Sequence, residues 1–349
     1  MTSQLDGGCP FGFRIVGSCH ESRRLVDADA AFVAHCSCDD RAEIDCEAYL
    51  SAFRFGDDFQ QRADQWGRLD VKGFDGASWS RWLWFDIDRE DIGQALRDAR
   101  RLVAFIAERY GLDDDALLIF FSGRKGFHAG LPTSLWLPSA SVTFHTTARR
   151  LAEALAERAG VVIDAGVYDR VRAFRGPNST HPKTGLHKRR LTFDELMGLS
   201  VDAVLKLAEK AEAFDVPTLP PVNEQAAIDW REAVHSVERA TEAKAERRAA
   251  GMSSRLNRAT RDIIANIETI AAGDRHRLLF SAAANLAEFG CPPALAHELL
   301  TEAGRDAGLS PSEVRRQVDC GLSHSSGGAG GSPANDTHAG RVSYGGPTA

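Results

Sequence analysis

The sequence predicts a mixed α/β protein that is followed by a small all-helical domain. Two apolar runs of strand length, at residues 82–88 and 116–121, flank a long stretch whose apolar residues recur at helical spacing. The 349 residues are enough for one sizeable mixed domain and a smaller one. The order strand, helix, strand therefore indicates an α/β or α+β core in the first part of the chain.

Further helices extend this core. Residues 91–110 place apolar side chains on one face of a helix, and Gly111 follows where a glycine commonly ends one. A second helix is predicted over residues 141–158, and the strand-like run 161–163 comes after it. Another helix is predicted near residues 194–214. We expect the mixed core to occupy residues 1–215.

The rest of the chain differs in composition. Three prolines within residues 215–221 indicate a boundary, so residues 216–252 are expected to be a linker and connecting helix. Residues 253–323 are predicted to form a small helical domain, in which Ser310 and Glu313 have the spacing of a capping box. Gly, Ser and Pro dominate residues 324–349, which are expected to be a disordered tail.

Charge, hydropathy and cysteine content limit the function classes. The net charge of −7 argues against a general nucleic-acid-coating protein, yet residues 168–190 contain seven Lys or Arg and one acid. No apolar run approaches the roughly 20 residues of a membrane span, and no secretory signal is recognised, so we expect a cytoplasmic, nucleoid-associated protein. Seven cysteines without paired spacing favour reduced thiols. Zinc at Cys36, Cys38 and Cys46 stays open.

Two carboxylates end the first apolar run. Asp86 and Asp88 are two residues apart in a predicted strand, so both side chains point to the same face. Like charges this close require a cation, and hard ions such as Mg²⁺ or Mn²⁺ prefer oxygen ligands. The alternative is that the two acids only begin the turn before the next helix.

A glycine-containing basic segment, SGRKGFH, follows the second apolar run. Gly123 lets the backbone approach a ligand closely, while Ser122, Arg124, Lys125 and His128 offer donors to phosphate oxygens. The segment lacks the spacing of a Walker loop, which disfavours an ATPase of that design. The alternative is an ordinary basic turn between strands.

A third carboxylate, Asp164, ends the run 161–163. It would complete a metal site, or it is a cap or turn aspartate, and Asp169 is close enough to compete for its role. The basic stretch FRGPNSTHPKTG follows, in which Arg175 and His181 are candidate phosphate contacts or parts of a solvated loop.

These three motifs together resemble the catalytic small subunit of archaeo-eukaryotic primases. That family carries D-x-D, S-G-x-x-G-x-H and a hydrophobic residue followed by Asp, in the order found here over residues 50–195. The resemblance implies an α/β core with an RRM-like sheet carrying the acids. It implies that Asp86, Asp88 and Asp164 bind two Mg²⁺ or Mn²⁺ ions. It also implies nucleotide binding by Ser122, Gly123, Arg124, Lys125, His128, Arg175 and His181.

Two further points follow from the resemblance. Residues 129–163 contain no cysteine and a single histidine, so zinc is not expected in the core, although many relatives carry it there. The helical pattern beyond residue 273 is similar to the small domains that follow primase cores in plasmid and phage proteins.

The implied function is template-directed nucleotidyl transfer. The chain would synthesise short primers on single-stranded DNA from NTP or dNTP by two-metal catalysis, as a DNA primase or primase-polymerase. No helicase motif is found, so a separate replicative helicase or polymerase is a possible partner, and no membrane is expected. The alternatives are a primer-extending repair or end-joining polymerase of the same superfamily, a catalytically inactive replication-initiator DNA-binding protein, and a D-x-D sugar-nucleotide transferase.

Overall fold

The structure, a computed structural model, describes residues 8–249, 256–264 and 275–326. Within these ranges the strands are β1 (Phe11–Val16), β2 (Arg24–Asp27), β3 (Ala48–Ser51), β4 (Arg54–Phe55), β5 (Ser78–Trp79), β6 (Trp82–Asp88), β7 (Leu118–Phe121), β8 (Gly126–Pro132), β9 (Ala173–Arg175) and β10 (Arg189–Leu191). The α-helices are α1 (Ala28–Cys36), α2 (Asp57–Gln60), α3 (Ile92–Tyr110), α4 (Phe144–Arg158), α5 (Phe193–Gly198), α6 (Val201–Leu207), α7 (Glu224–Ala249), α8 (Arg258–Ile264), α9 (Arg275–Glu288), α10 (Pro293–Asp306) and α11 (Pro311–Ser326).

The strands form two antiparallel sheets. The first has the order β5-β4-β1-β3-β9, with β2 paired to β1. The second has the order β10-β7-β8-β6. The prediction of a mixed α/β core is confirmed at this level.

Strand β6 and helix α3 show how the sequence builds the second sheet. Leu83, Phe85 and Ile87 alternate with the two acids and are buried, while α3 packs on β6 and β8. Helix α3 begins at a cap, because the Asp91 carboxylate accepts hydrogen bonds from two backbone N–H groups of the first turn. It ends at Gly111, whose φ of 58° lies in the left-handed region.

Three predicted elements differ from the structure. Helix α4 begins at Phe144, three residues later than expected. Residues 161–163 form no ladder, and Val162 is 72% exposed; the backbone hydrogen bond to edge strand β6 comes at Asp164, after this run. The helix expected over 194–214 is two short helices, α5 and α6, since Ser200 accepts a hydrogen bond from Ala203 N and starts a new helix.

The chain divides into two compact units after Glu242. The segment expected to be a linker and connecting helix contains helix α7, and most of its length belongs to the first unit. Trp230 of α7 stacks on Trp136 with ring centroids 5.5 Å apart. The buried Asp229 carboxylate accepts two hydrogen bonds of 2.7 Å from Arg109. An Ala-, Glu- and Arg-rich composition concealed this inward face.

The second unit, described by itself, contains helices α8 to α11 around a small apolar core that includes Leu279, Leu300 and Val318. The predicted capping box is present: Glu313 accepts from Ser310 N, and Ser310 accepts from Glu313 N. Helix α11 continues to residue 326 and so includes the first three residues of the expected tail, and residues 327–349 lie outside the described ranges. None of the helices in those ranges has the length and apolarity needed to cross a bilayer.

Candidate active site

A cleft of about 170 Å³ opens where the two sheets approach each other. Strand β6, the β7–β8 hairpin and strand β9 supply most of its wall. Its lining residues are Tyr49, Asp86, Asp88, Ser122, Arg124, Lys125, His128, Arg172, Ala173, Phe174, Arg175 and His181. Eight of the ten predicted site residues are among them, and Gly123 and Asp164 are not.

The pairing of β6 with β8 brings the first two motifs together. Asp86 lies directly opposite His128, and Asp88 lies opposite Gly126, so all four positions share one face of the sheet. The Asp86 Oδ1 atom is 3.5 Å from His128 Nε2. This oxygen is buried and has no hydrogen-bond partner among the described residues. A carboxylate oxygen in that state is available to coordinate a cation.

The Asp86 carboxyl is held in an unfavourable environment for charge. The pKa of this carboxyl is raised to about 7, first by burial and then by the neighbouring Asp88 and Asp164 carboxylates. Lys188 and Arg172 act in the opposite direction. Asp164 is therefore close enough to act on the charge of Asp86.

Asp88 depends on the glycine that faces it. A Cβ atom at Gly126 would collide with the Asp88 carboxylate and would lie 2.8 Å from the Ile87 carbonyl oxygen. Asp88 is partly exposed, and Lys125 Nζ lies 3.8 Å from its Oδ2 atom. The glycine of the second motif thus makes room for the second acid of the first motif.

Asp164 lies beside Asp86, but its side chain is used locally. Its backbone N–H donates to the Asp86 carbonyl oxygen at 2.8 Å. Arg89 fixes the same segment by donating to the Val162 carbonyl oxygen at 2.7 Å. The Asp164 carboxylate accepts a hydrogen bond of 2.8 Å from Gly166 N and caps a short 3₁₀ helix. The cap that sequence reasoning kept as an alternative is what this side chain forms.

The second motif is a hairpin and not a free loop. Residues 122–125 form the turn between β7 and β8, whereas His128 lies within β8. The Ser122 hydroxyl oxygen accepts a hydrogen bond of 3.2 Å from Gly126 N across this turn. Gly123 has a φ of 90°, and its carbonyl oxygen accepts a hydrogen bond of 2.6 Å from Thr184. The third motif's loop is therefore fastened to the turn of the second.

His128 is neutral in this environment. Burial holds the pKa of its imidazole well below the ordinary value, and the nearby Lys188 and Arg175 charges lower it further. Its ring packs on Phe174 with centroids 4.4 Å apart. The contact with Asp86 is consequently not an ion pair, and a neutral imidazole offers one N–H to an anionic ligand.

The basic residues of the third motif converge on the same cleft. Arg175 donates to the Tyr49 hydroxyl at 3.1 Å and lies over the Tyr49 ring. Burial lowers the pKa of His181 to about 4, with Arg175 and Arg124 as further causes. The arginine of the hairpin turn and the two predicted residues of the third motif thus line the same cleft.

Sequence reasoning missed the role of Lys188. Its side chain is fully buried, and Nζ donates a hydrogen bond of 2.7 Å to the Arg175 carbonyl oxygen. Nζ also lies 4.3 Å, 4.8 Å and 5.3 Å from the ring centroids of Phe174, Phe120 and Trp84. Burial lowers its pKa to about 7, while Asp86 raises it. The sequence shows that Lys188 belongs to the basic run 168–190, but it does not show that the side chain is buried.

Two more cleft residues, Arg172 and Tyr49, are only weakly marked as site residues in the sequence. Arg172 is exposed in the cleft and has no ion-pair partner within the described ranges. In the sequence it is one of seven Lys or Arg in residues 168–190, and nothing distinguishes it from the others. Tyr49 precedes every motif by more than thirty residues, so no spacing rule connects it with the site.

The residues present fit a divalent cation in part. The orphaned Asp86 oxygen, with Asp88 on the same face, provides two hard oxygen donors. No group of three or more His, Cys, Asp or Glu is arranged to hold a metal ion anywhere in the described ranges. The three aspartates do not form such a group here, and the Asp164 carboxylate caps the 3₁₀ helix instead. Burial raises the pKa of the Cys36 thiol to about 12, which disfavours the thiolate that zinc requires.

Comparisons with known proteins add little. No protein-family profile matches the chain, and no curated protein matches it in sequence. The crystal structure of primase RepB′ is similar to the chain over 91% of its length and 92% of that protein's, with 15% sequence identity and a TM-score of 0.35. A likeness at this level carries no argument about function.

Proposed function

We propose that this chain is a template-directed nucleotidyltransferase of the archaeo-eukaryotic primase type, synthesising primers on single-stranded DNA. One observation carries the proposal: Asp86, whose buried Oδ1 atom has no hydrogen-bond partner among the described residues, lines a cleft together with Arg124, Lys125, Arg172 and Arg175. Such a cleft suits a nucleoside triphosphate, because the acids hold cations and the bases hold phosphates.

Asp86 and Asp88 would hold the divalent cations, Mg²⁺ or Mn²⁺, and Asp164 would join them after giving up its cap. When bound, these ions supply activation of the attacking 3′-hydroxyl and neutralisation of the pyrophosphate leaving group. The Asp86 carboxyl has to be ionised for this purpose. Since its pKa is raised to about 7, ion binding would release a proton near neutral pH.

The chain's other residues would bind and orient the triphosphate. Arg124 and Lys125 project from the hairpin turn and are partly or fully exposed to an incoming ligand. His128 would donate its N–H from the floor of the cleft. Arg175 and His181 would meet the phosphates from the side of the third motif. Positioning and charge neutralisation are the main contributions of a protein to this chemistry.

A nucleotide-incorporation assay tests the proposal. Purified full chain receives a single-stranded template, labelled NTP or dNTP, and Mg²⁺ or Mn²⁺, and is compared with an Asp86→Ala, Asp88→Ala double variant. Asp75→Ala serves as the matched control, because Asp75 is an exposed carboxylate outside the cleft. We expect incorporation by the wild type and the control and none by the double variant.

The outcome also separates the remaining alternatives. Equal incorporation by the double variant would contradict the assigned acids. Extension of a supplied primer without priming on a bare template would favour the repair or end-joining polymerase of the same superfamily. Absence of incorporation by the wild type, with template binding retained, would favour a replication-initiator module that has lost catalysis.

A further inference from the structure

The loop after helix α2 extends the edge of the first sheet. Leu25 N donates to the Gly67 carbonyl oxygen at 2.9 Å. Arg24 of β2 and Arg68 of the loop form an antiparallel bridge. The loop therefore lies beside β2 as an additional short strand, at the end of the sheet opposite β9.

This loop presents a tryptophan in a fixed turn. The Asp64 carboxylate accepts hydrogen bonds of 2.9 Å from Trp66 N and 2.8 Å from Arg68 N. Gly67 closes the turn with a φ of 74°. Trp66 is nevertheless 68% exposed, whereas Trp79, Trp82, Trp84 and Trp136 are buried. A rigid backbone thus holds one large aromatic side chain in solvent.

Two arginines flank the tryptophan without partners. Arg24 and Arg68 are both exposed, and neither side chain has a hydrogen bond or ion pair with any described residue. Like charges directly opposite each other destabilise a sheet. Two acids close to them in the sequence are engaged elsewhere, since the Asp64 carboxylate holds the turn and the Asp27 carboxylate caps helix α1. An external anion would offset the repulsion.

We infer that Trp66, Arg24 and Arg68 form a stacking platform for single-stranded nucleic acid, the template strand of the proposed reaction. A base has a flat face that stacks on an exposed indole, and phosphates accept hydrogen bonds from guanidinium groups. A duplex offers no base face except at its ends. The inference rests on the proposed function only in naming the strand as template.

The sheet fixes how far the platform lies from the cleft. Arg68, Arg24, Arg14, Leu50 and Phe174 are successive cross-strand neighbours. Four strand spacings of about 4.8 Å place Arg68 roughly 19 Å from Phe174, which lines the cleft. A stacked strand advances about 3.4 Å per nucleotide, so roughly six nucleotides would span this distance.

Binding of an oligo-dT of about 20 nucleotides, measured by fluorescence anisotropy without nucleotide or metal, tests the platform directly. The full chain is compared with Trp66→Ala and with the double variant Arg24→Ala, Arg68→Ala. The matched control is Lys210→Ala, Arg231→Ala, which removes two other exposed cations that have no ion pair in the described ranges.

We expect Trp66→Ala to weaken binding roughly 5- to 150-fold, the range for the loss of one base–aromatic stack. The Arg24, Arg68 variant should reduce the slope of log affinity against log salt by roughly 1.4, since each phosphate contact on a single strand contributes about 0.7. Oligo-dT should also quench tryptophan fluorescence in the wild type and not in Trp66→Phe. The melting temperature of the Arg24→Ala, Arg68→Ala variant should be unchanged or slightly raised, because this variant removes the repulsion between the two arginines.

The inference is overturned if both variants bind oligo-dT as tightly, and with the same salt dependence, as the control variant. It is overturned equally if duplex DNA binds the platform as well as the single strand does, or if Trp66→Ala changes only self-association and so identifies a second copy as the occupant. Failure of the proposed function shows differently: a catalytically silent wild type would still display the Trp66-dependent binding. The two conclusions therefore stand or fall separately.

Discussion

Replacing Asp86 by Asn should stabilise the cation-free protein, and more so as the pH rises. The folded-state pKa of Asp86 is raised to about 7, so its contribution to stability is fully present below its ordinary pKa and is lost as the pH rises through 7. The Asn variant has no such group to ionise. The free energy of unfolding of the Asn variant should therefore increase relative to that of the wild type as the pH rises from acid to alkaline.

The magnitude follows from the pKa. A shift from 3.8 to about 7 corresponds to about 4 kcal/mol when complete. At about pH 5 the wild type has already lost a part of this stability. Between about pH 5 and about pH 8, the free energy of unfolding of the variant therefore increases relative to the wild type by about 3 kcal/mol at most. In a unit of this size, that equals a difference in melting temperature of roughly 5–10 °C.

Tryptophan fluorescence is a suitable probe, because all six tryptophans lie in the unit that ends at Glu242. Thermal unfolding of the full chain is followed in chelator at both pH values, with Asp75→Asn as an exposed-acid control. Saturating Mn²⁺ should then narrow the difference at alkaline pH, since a bound cation removes the repulsion in the wild type. An equal difference at both pH values would refute the reasoning.

Three further changes test other parts of the structure. Lys188→Met should lower incorporation by roughly tenfold or more by removing the hydrogen bond to strand β9, with little change in melting temperature because an unfavourably buried charge is also removed. Gly126→Ala should displace Asp88 and reduce incorporation, with a stability loss of about 1–3 kcal/mol in urea unfolding. Asp229→Ala should cost about 3–5 kcal/mol in the same measurement, because it leaves the Arg109 guanidinium without its main partner.

Full activity of Lys188→Met would show that this lysine does not position the cleft. A Gly126→Ala protein that binds Mn²⁺ as tightly as the wild type would show that Asp88 is free to move aside. A change of less than about 1 kcal/mol for Asp229→Ala would mean that α7 does not hold the first unit together.

Local periodicity was enough to place Asp86 and Asp88 on one face of a strand and to bound helix α3. It was not enough for Asp164, because a strand requires a neighbour and the run 161–163 finds none. The opposition of Asp86 to His128 depends on a pairing register between distant segments, which composition does not encode. A basic run is normally solvated, so nothing marked Lys188 as buried.

The register of β6 against β8 also determines where the chain tolerates changes in length. Insertion of a single residue before Asp86 would turn both acids towards helix α3 and bring Ile87 into the cleft, because side chains alternate along a strand. Insertion of two residues would restore the face but move the acids by roughly 7 Å along the ladder, away from His128. Residues 123–125 lie outside the ladder, so lengthening that turn leaves the opposition of Asp86 and His128 intact. Natural or engineered variation in length should therefore be confined to the turn. Strand β6 should tolerate none, because every one of its residues is paired with β8.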